Sequence, residues 1–153
     1  MVQAIPSDYR GVTPYLIVRD AARALDFYRD AFGAIETLRL PGPDGLIGHA
    51  EIRIGDGMVM LADEMPEMGH QGPATLGGTS VTLMFYVPDV DARLAKAIAA
   101  GSIIKNPVKD QFYGDRSVTI VDPFGHIWTI ATHVEDVAPE ELQRRMTAMM
   151  SGS

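Results

Sequence analysis

His49 and Glu51 stand two residues apart in a run, Gly48 to Ile54, that alternates polar with apolar residues. Successive strand residues point to opposite faces, so His49, Glu51 and Arg53 share one face. An imidazole beside a carboxylate is the pairing of a general acid–base catalyst, which makes His49 and Glu51 the candidate catalytic residues. A plain polar row facing solvent or a second subunit is the competing reading. Two such side chains are also fewer than a catalytic metal normally requires. A second group lies in Gln111-Phe112-Tyr113-Gly114-Asp115-Arg116. Adjacent aromatics beside Gly and Arg, in a loop entering a strand, can form a rim for a planar or cationic ligand, which nominates Tyr113 and Arg116. Alternatively Arg116 only fixes the loop by pairing with Asp115 or Asp122. Tyr15 shares a strand face with Thr13, so both are expected to point the same way.

Several kinds of chemistry are excluded by what is missing. The chain has no cysteine, hence no thiol nucleophile, disulfide or Cys-based zinc site, which fits a reducing cytoplasm. No Ser-His-Asp ordering with a nucleophile elbow is present, and Gly55-Asp56-Gly57 falls between strands as a hairpin turn, not a phosphate loop. The net charge is −7 and the Lys and Arg residues are scattered, so no basic stripe is available for nucleic acid. The same acidity favours a cationic ligand, though weakly. Apolar runs are far shorter than the roughly 20 residues that cross a bilayer, and the N-terminus lacks the charged and apolar regions of a signal peptide.

The elements that position these residues come as a weak internal repeat. Val18-Arg19-Asp20 opens a helix expected over 21–32, and Val87-Pro88-Asp89 opens another over 90–100. Each Asp suits an N-cap, and Gly33 and Gly101 suit the ends. Ala21, Ala24, Leu25, Tyr28 and Phe32 make one apolar stripe, and Val90, Leu94, Ala97 and Ile98 make the other. Strand-like runs precede each helix, at 13–18 and 81–87, and follow it, at 48–54, 58–62, 116–121 and 126–132. Nearly the same interval that separates the two Asp residues separates Gly57 from Gly125. Each half thus reads strand, helix, then two or three strands. Module one spans about 12–62, a Gly-, Pro- and Met-rich crossover 63–79, and module two about 80–133, all within one domain over 1–153. A last helix is expected over 139–150, with Leu142, Met146, Met149 and Met150 as an apolar stripe in need of a partner surface.

The motifs Val18-Arg19-Asp20, Ala24-Leu25-Asp26-Phe27-Tyr28, Val87-Pro88-Asp89-Val90-Asp91-Ala92 and Asp122-Pro123-Phe124-Gly125-His126, in a doubled βαβββ order, resemble the vicinal oxygen chelate superfamily of glyoxalases, bleomycin-resistance proteins and extradiol dioxygenases. Gly48-His49-Ala50-Glu51-Ile52 and Tyr113-Gly114-Asp115-Arg116 look like its PhnB-like branch. The resemblance implies an α+β fold of two βαβββ modules forming curved sheets around a cavity, to which the C-terminal helix is added. The half-open sheets, with edges and apolar faces that need cover, point to a homodimer. It also places the family's four metal-ligand positions on Thr13, about Leu61, Thr82 and Thr129. Threonine is a poor ligand for such metals and leucine is none, so no metal is expected at that site and no cofactor is expected. The expected ligand-binding residues are Thr13, Tyr15, Thr82, Tyr113, Arg116 and Thr129, joined by His49 and Glu51. The first expectation is binding of a small organic molecule, cationic or aromatic, without a metal. A glyoxalase-like lyase or isomerase, with a displaced metal or acid–base residues alone, is the second. The third is a dimeric interaction or regulatory module.

Overall fold

The computed structural model describes residues 1–152. Strand β1 (Tyr15–Val18) leads into helix α1 (Ala21–Phe32), followed by β2 (Ile35–Pro41), β3 (Ile47–Ile54) and β4 (Gly57–Asp63). The crossover carries a single helical turn at Pro66–Met68 and the short α2 (Pro73–Leu76). The second half repeats the order with β5 (Thr82–Tyr86), α3 (Val90–Ala99), β6 (Ile103–Asp110), β7 (Asp115–Val121) and β8 (Ile127–His133), and α4 (Pro139–Met150) closes the chain.

Both halves build the same sheet. The strand orders are β1-β4-β3-β2 and β5-β8-β7-β6, each with one parallel pair, β1 with β4 and β5 with β8. The repeat read from the Asp and Gly spacings is therefore a repeat of topology. The mobile-looking linker composition conceals some local order, since Met65 and His70 form an isolated bridge within it.

Local chemistry explains the helix boundaries. Asp20 caps α1 by accepting from the Arg23 amide at 3.2 Å, and Gly33 ends it in a left-handed conformation at φ 69°. Asp89 does the same for α3, accepting from Ala92 N. A second carboxylate supports α1 from outside: the buried Asp63 accepts from Ala21 N at 2.8 Å and from Ile47 N at 2.7 Å. It ties the helix start to the start of β3.

Helices α1 and α3 pack on each other, α1 against β3 and β4, and α3 against β7 and β8. One hydrophobic core results, running through both halves. Its centre is aromatic: Tyr28, Phe32, Phe85, Phe124 and Trp128 meet with ring centroids 4.9–6.3 Å apart. Trp128 therefore packs on α1 through Tyr28 and Phe32.

Residues paired directly across a ladder share a face. Leu16, Ala50, Ile52 and Leu61 face the helices and are buried, whereas Tyr15, His49, Glu51, Arg53 and Met60 lie on the opposite, open face. On the second sheet Thr82, Met84, Tyr86, Thr119, Thr129 and His133 take the open face. Two strands had no clear sequence pattern. In β2 a register shift between Glu36 and Leu38 breaks the alternation, and Leu38 and Leu40 land opposite Glu51 and His49. In β6 two shifts around Asn106 and Lys109 do the same.

Candidate functional site

The open face of the first sheet gathers the chemistry. Met60 is the common neighbour, paired with Tyr15 on one side in parallel and with Glu51 on the other in antiparallel. That register brings Tyr15 Oη to 2.8 Å from His49 Nδ1, while His49 Nε2 lies 3.3 Å from Glu51 Oε1. A carboxylate only accepts, so in the neutral ring Nε2 carries the proton toward Glu51 and Nδ1 accepts from the Tyr15 hydroxyl. Hydroxyl, imidazole and carboxylate thus form one chain. Burial and then the neighbouring Glu51 charge push the Tyr15 phenol above its ordinary value, so it remains a donor.

The walls of this face come from four segments. Leu38 and Leu40 of β2 and Met60 of β4 flank the chain with apolar surface. His70 of the crossover lies over Tyr15, with ring centroids 6.4 Å apart. The N-terminal segment crosses the face too: Asp8 pairs with Arg53 at 3.2 Å. Tyr9 buries its hydroxyl beside Glu51, with its proton facing that carboxylate. Burial, reinforced by Glu51, pushes the Tyr9 phenol up to about 12.

The remaining candidates lie on the second sheet or leave the group. Thr129 bonds Thr119 at 2.8 Å, in the same cross-strand row as Met84, and Thr82 lies exposed on the same face. Tyr113 stacks edge-on against Phe112 in the loop before β7. Arg116 belongs to the other face. Its pairing with Thr132 turns it toward the helices, where it binds Asp91 at 2.9 Å and Asp110 at 3.2 Å. Neither Asp115 nor Asp122 is its partner, and Arg116 is not brought to the open face with the other candidates. Thr13 precedes β1, which begins only after Pro14.

Two buried carboxylates were not legible as site builders. Asp115 accepts from Tyr86 Oη at 2.7 Å and contacts His133 Nδ1 at 2.8 Å, and His133 Nε2 reaches Asp136 at 2.7 Å. Held between two carboxylates, first Asp115 and then Asp136, the His133 imidazole titrates above its ordinary value. Asp122, in the turn before β8, collects four donors: Tyr28 Oη, Trp128 Nε1, and the amides of Phe124 and His126. The adjacent His126 ring meets Ile17 O at 2.9 Å, joining this turn to β1. Only the turn-forming Asp-Pro-Phe-Gly sequence signalled the position of Asp122.

With the geometry established, similarity to known proteins can be placed on it. Residues 11–130 match the Glyoxalase/Bleomycin resistance protein/Dioxygenase superfamily. The chain belongs to that superfamily. An uncharacterized protein of Mycobacterium bovis is 43% identical over 144 residues, covering 92% of this chain and 95% of its own. The crystal structure of TioX from Micromonospora sp. ML1 matches with a TM-score of 0.63 and 29% identity, over 80% of this chain and 98% of its own. An Arabidopsis thaliana gene product matches with a TM-score of 0.65 and 25% identity, over 80% of this chain and 98% of its own.

The superfamily's metal chemistry can be tested on the donors present. The register corrects one position: Leu61 points into the core and is fully buried, so the open-face residue of β4 is Met60. Thr13, Met60, Thr82 and Thr129 offer hydroxyls and a thioether, a donor set unsuited to a divalent metal that prefers imidazole and carboxylate. Among the described residues no three His, Cys, Asp or Glu side chains are placed to share an ion. No step through a metal at these positions is consistent with those side chains.

Proposed function

We propose that this superfamily member binds a small organic molecule, cationic or aromatic, on the open face of the first sheet, with no metal at the family's usual positions and no other cofactor. The Tyr15–His49–Glu51 chain, set among Leu38, Leu40 and Met60, carries the reading. It combines apolar surface with a few convergent polar groups, which is the usual makeup of a small-molecule site. Thr13, Thr82, Tyr113 and Thr129 complete the proposed ligand-contacting set. Within the superfamily we place the chain in the PhnB-like branch, on Gly48-His49-Ala50-Glu51-Ile52 and Tyr113-Gly114-Asp115-Arg116.

The same reading makes the protein a cytoplasmic homodimer with no nucleic-acid or membrane partner. Support for the dimer comes from Ile35, Ile103 and Ile104, exposed apolar residues on the two outer strands that a second copy would cover. The experiment is a thermal-shift panel of neutral, cationic and anionic aromatic compounds against the parent protein, Y15F and H49A. Stabilisation of the parent that weakens in both variants is expected. A panel without effect, or one unchanged by both substitutions, overturns the proposal.

One observation favours a second reading. The hydroxyl–imidazole–carboxylate order suits acid–base catalysis, so a lyase or isomerase would use His49 and Glu51 to move a proton through Tyr15. Turnover lost in H49A, with or without stoichiometric metal by elemental analysis, would establish it over simple binding.

A further inference from the structure

Beneath the N-terminal segment lies a cleft of about 490 Å³, walled by residues 7–14. Its other walls come from both halves of the chain: Met58 of β4, Leu83, Met84 and Phe85 of β5, and Trp128 of β8. Such a lining takes an apolar body. The charges around it cancel in number, Asp8 and Asp56 against Arg10 and Arg53.

Tyr9 connects this cleft to the polar chain, since it lines the cleft while its hydroxyl lies buried beside Glu51. At that junction the protons are already committed. With the His49 ring neutral, Tyr15 donates to His49 and His49 donates toward Glu51, leaving lone pairs on Tyr15 Oη and on the Glu51 carboxylate to face a ligand. Glu51 is four-fifths buried, its ion-pair neighbour is His49, and among the described residues no Lys or Arg side chain pairs with it. The rings of Tyr15 and His70 stand alongside. A partly buried carboxylate bordered by aromatic rings favours an alkylammonium group and repels an anion.

We propose that the ligand is an organic cation with an apolar body, its ammonium group at Glu51 between Tyr9 and Tyr15 and its body in the cleft against Met84, Phe85 and Trp128. This rests on the reading of the first sheet's open face as a binding site and adds the ligand's charge and the second half's contribution. Nothing covalent is involved.

Trp128 is the single tryptophan and lines the cleft, so its fluorescence reports occupancy directly. The experiment titrates the parent protein with phenethylammonium, benzyltrimethylammonium, phenethyl alcohol and phenylacetate. The expected result is saturable change in Trp128 emission with the two cations, at least tenfold weaker response to the alcohol, and none to the anion. In E51Q the preference for the cations over the alcohol collapses to within about twofold. Equal affinity for cation and alcohol in the parent overturns the charge assignment but leaves a binding face intact. Cation binding to the parent without any change in Trp128 emission overturns the cleft assignment. A parent protein that responds to none of the compounds overturns this proposal, while the thermal-shift panel decides separately on the binding face. If E51Q does not fold, the parent's ranking of cation, alcohol and anion still decides the matter.

Discussion

Replacing Asp122 by alanine tests whether this carboxylate is what binds the two halves together. It accepts from Tyr28 Oη at 2.6 Å and Trp128 Nε1 at 2.9 Å, both on side chains sealed in the core. It also accepts from the amides of Phe124 at 2.9 Å and His126 at 3.0 Å. In D122A the part-buried His126 amide sits in a turn, where water can replace the carboxylate. The phenol and the indole cannot be hydrated without opening the core, and each orphaned donor costs about 1–3 kcal/mol. Removing the carboxylate also removes its own desolvation penalty, which offsets part of the loss. The expected net destabilisation is about 3 kcal/mol. Urea unfolding followed by far-UV circular dichroism and by Trp128 fluorescence measures it, with an unchanged m-value showing that compactness is retained. The double-mutant cycle with Y28F should give a coupling of about 1 kcal/mol or more, because both substitutions remove the same bond. A loss below about 1 kcal/mol in D122A, or strict additivity with Y28F, would refute the reasoning.

Three other substitutions test separate parts of the structure. His133 has its folded pKa raised by Asp115 and Asp136, so its stabilisation is complete below the unfolded value and disappears as pH rises through the folded one. Unfolding free energy should therefore fall across the range just above the ordinary histidine value, and H133Q should lack that slope; identical pH profiles would rule this out. Gly114 sits at φ 101°, and a Cβ there would run into the Glu135 carbonyl, so G114A should lose about 1–3 kcal/mol and accelerate amide exchange at Val134 and Glu135, which both donate to Gly114 O. Y9F removes a buried hydroxyl that faces the Glu51 carboxylate, so it should lower stability by about 1 kcal/mol in the same urea assay; a gain of that size would mean the hydroxyl is unbonded.

Much of the fold was legible because its cues are local. Both N-caps, the Gly33 end of α1, the apolar stripe of α1 and the 21–32 and 139–150 boundaries follow from neighbouring residues, and the structure places them as read. The outer strands were not located, because register shifts at Leu38 and Asn106 break the two-residue period by which a half-buried strand is recognised. Arg116 also illustrates the limit. Its neighbours in sequence suggested Asp115 or Asp122, but the strand pleat turns it toward α3, and Asp91 on that helix takes it instead.

For the site, the sequence by itself determined that His49 and Glu51 share a strand face and that Tyr15 takes one face of its own strand, since strand geometry alternates side chains without reference to anything distant. Only the tertiary structure decided that these two faces are the same surface. That depends on β4 lying between β1 and β3, so that Met60 pairs with Tyr15 and Glu51 at once. Strand order is set by which apolar faces can be buried together against α1 and α3, a property of the whole core that no local spacing contains.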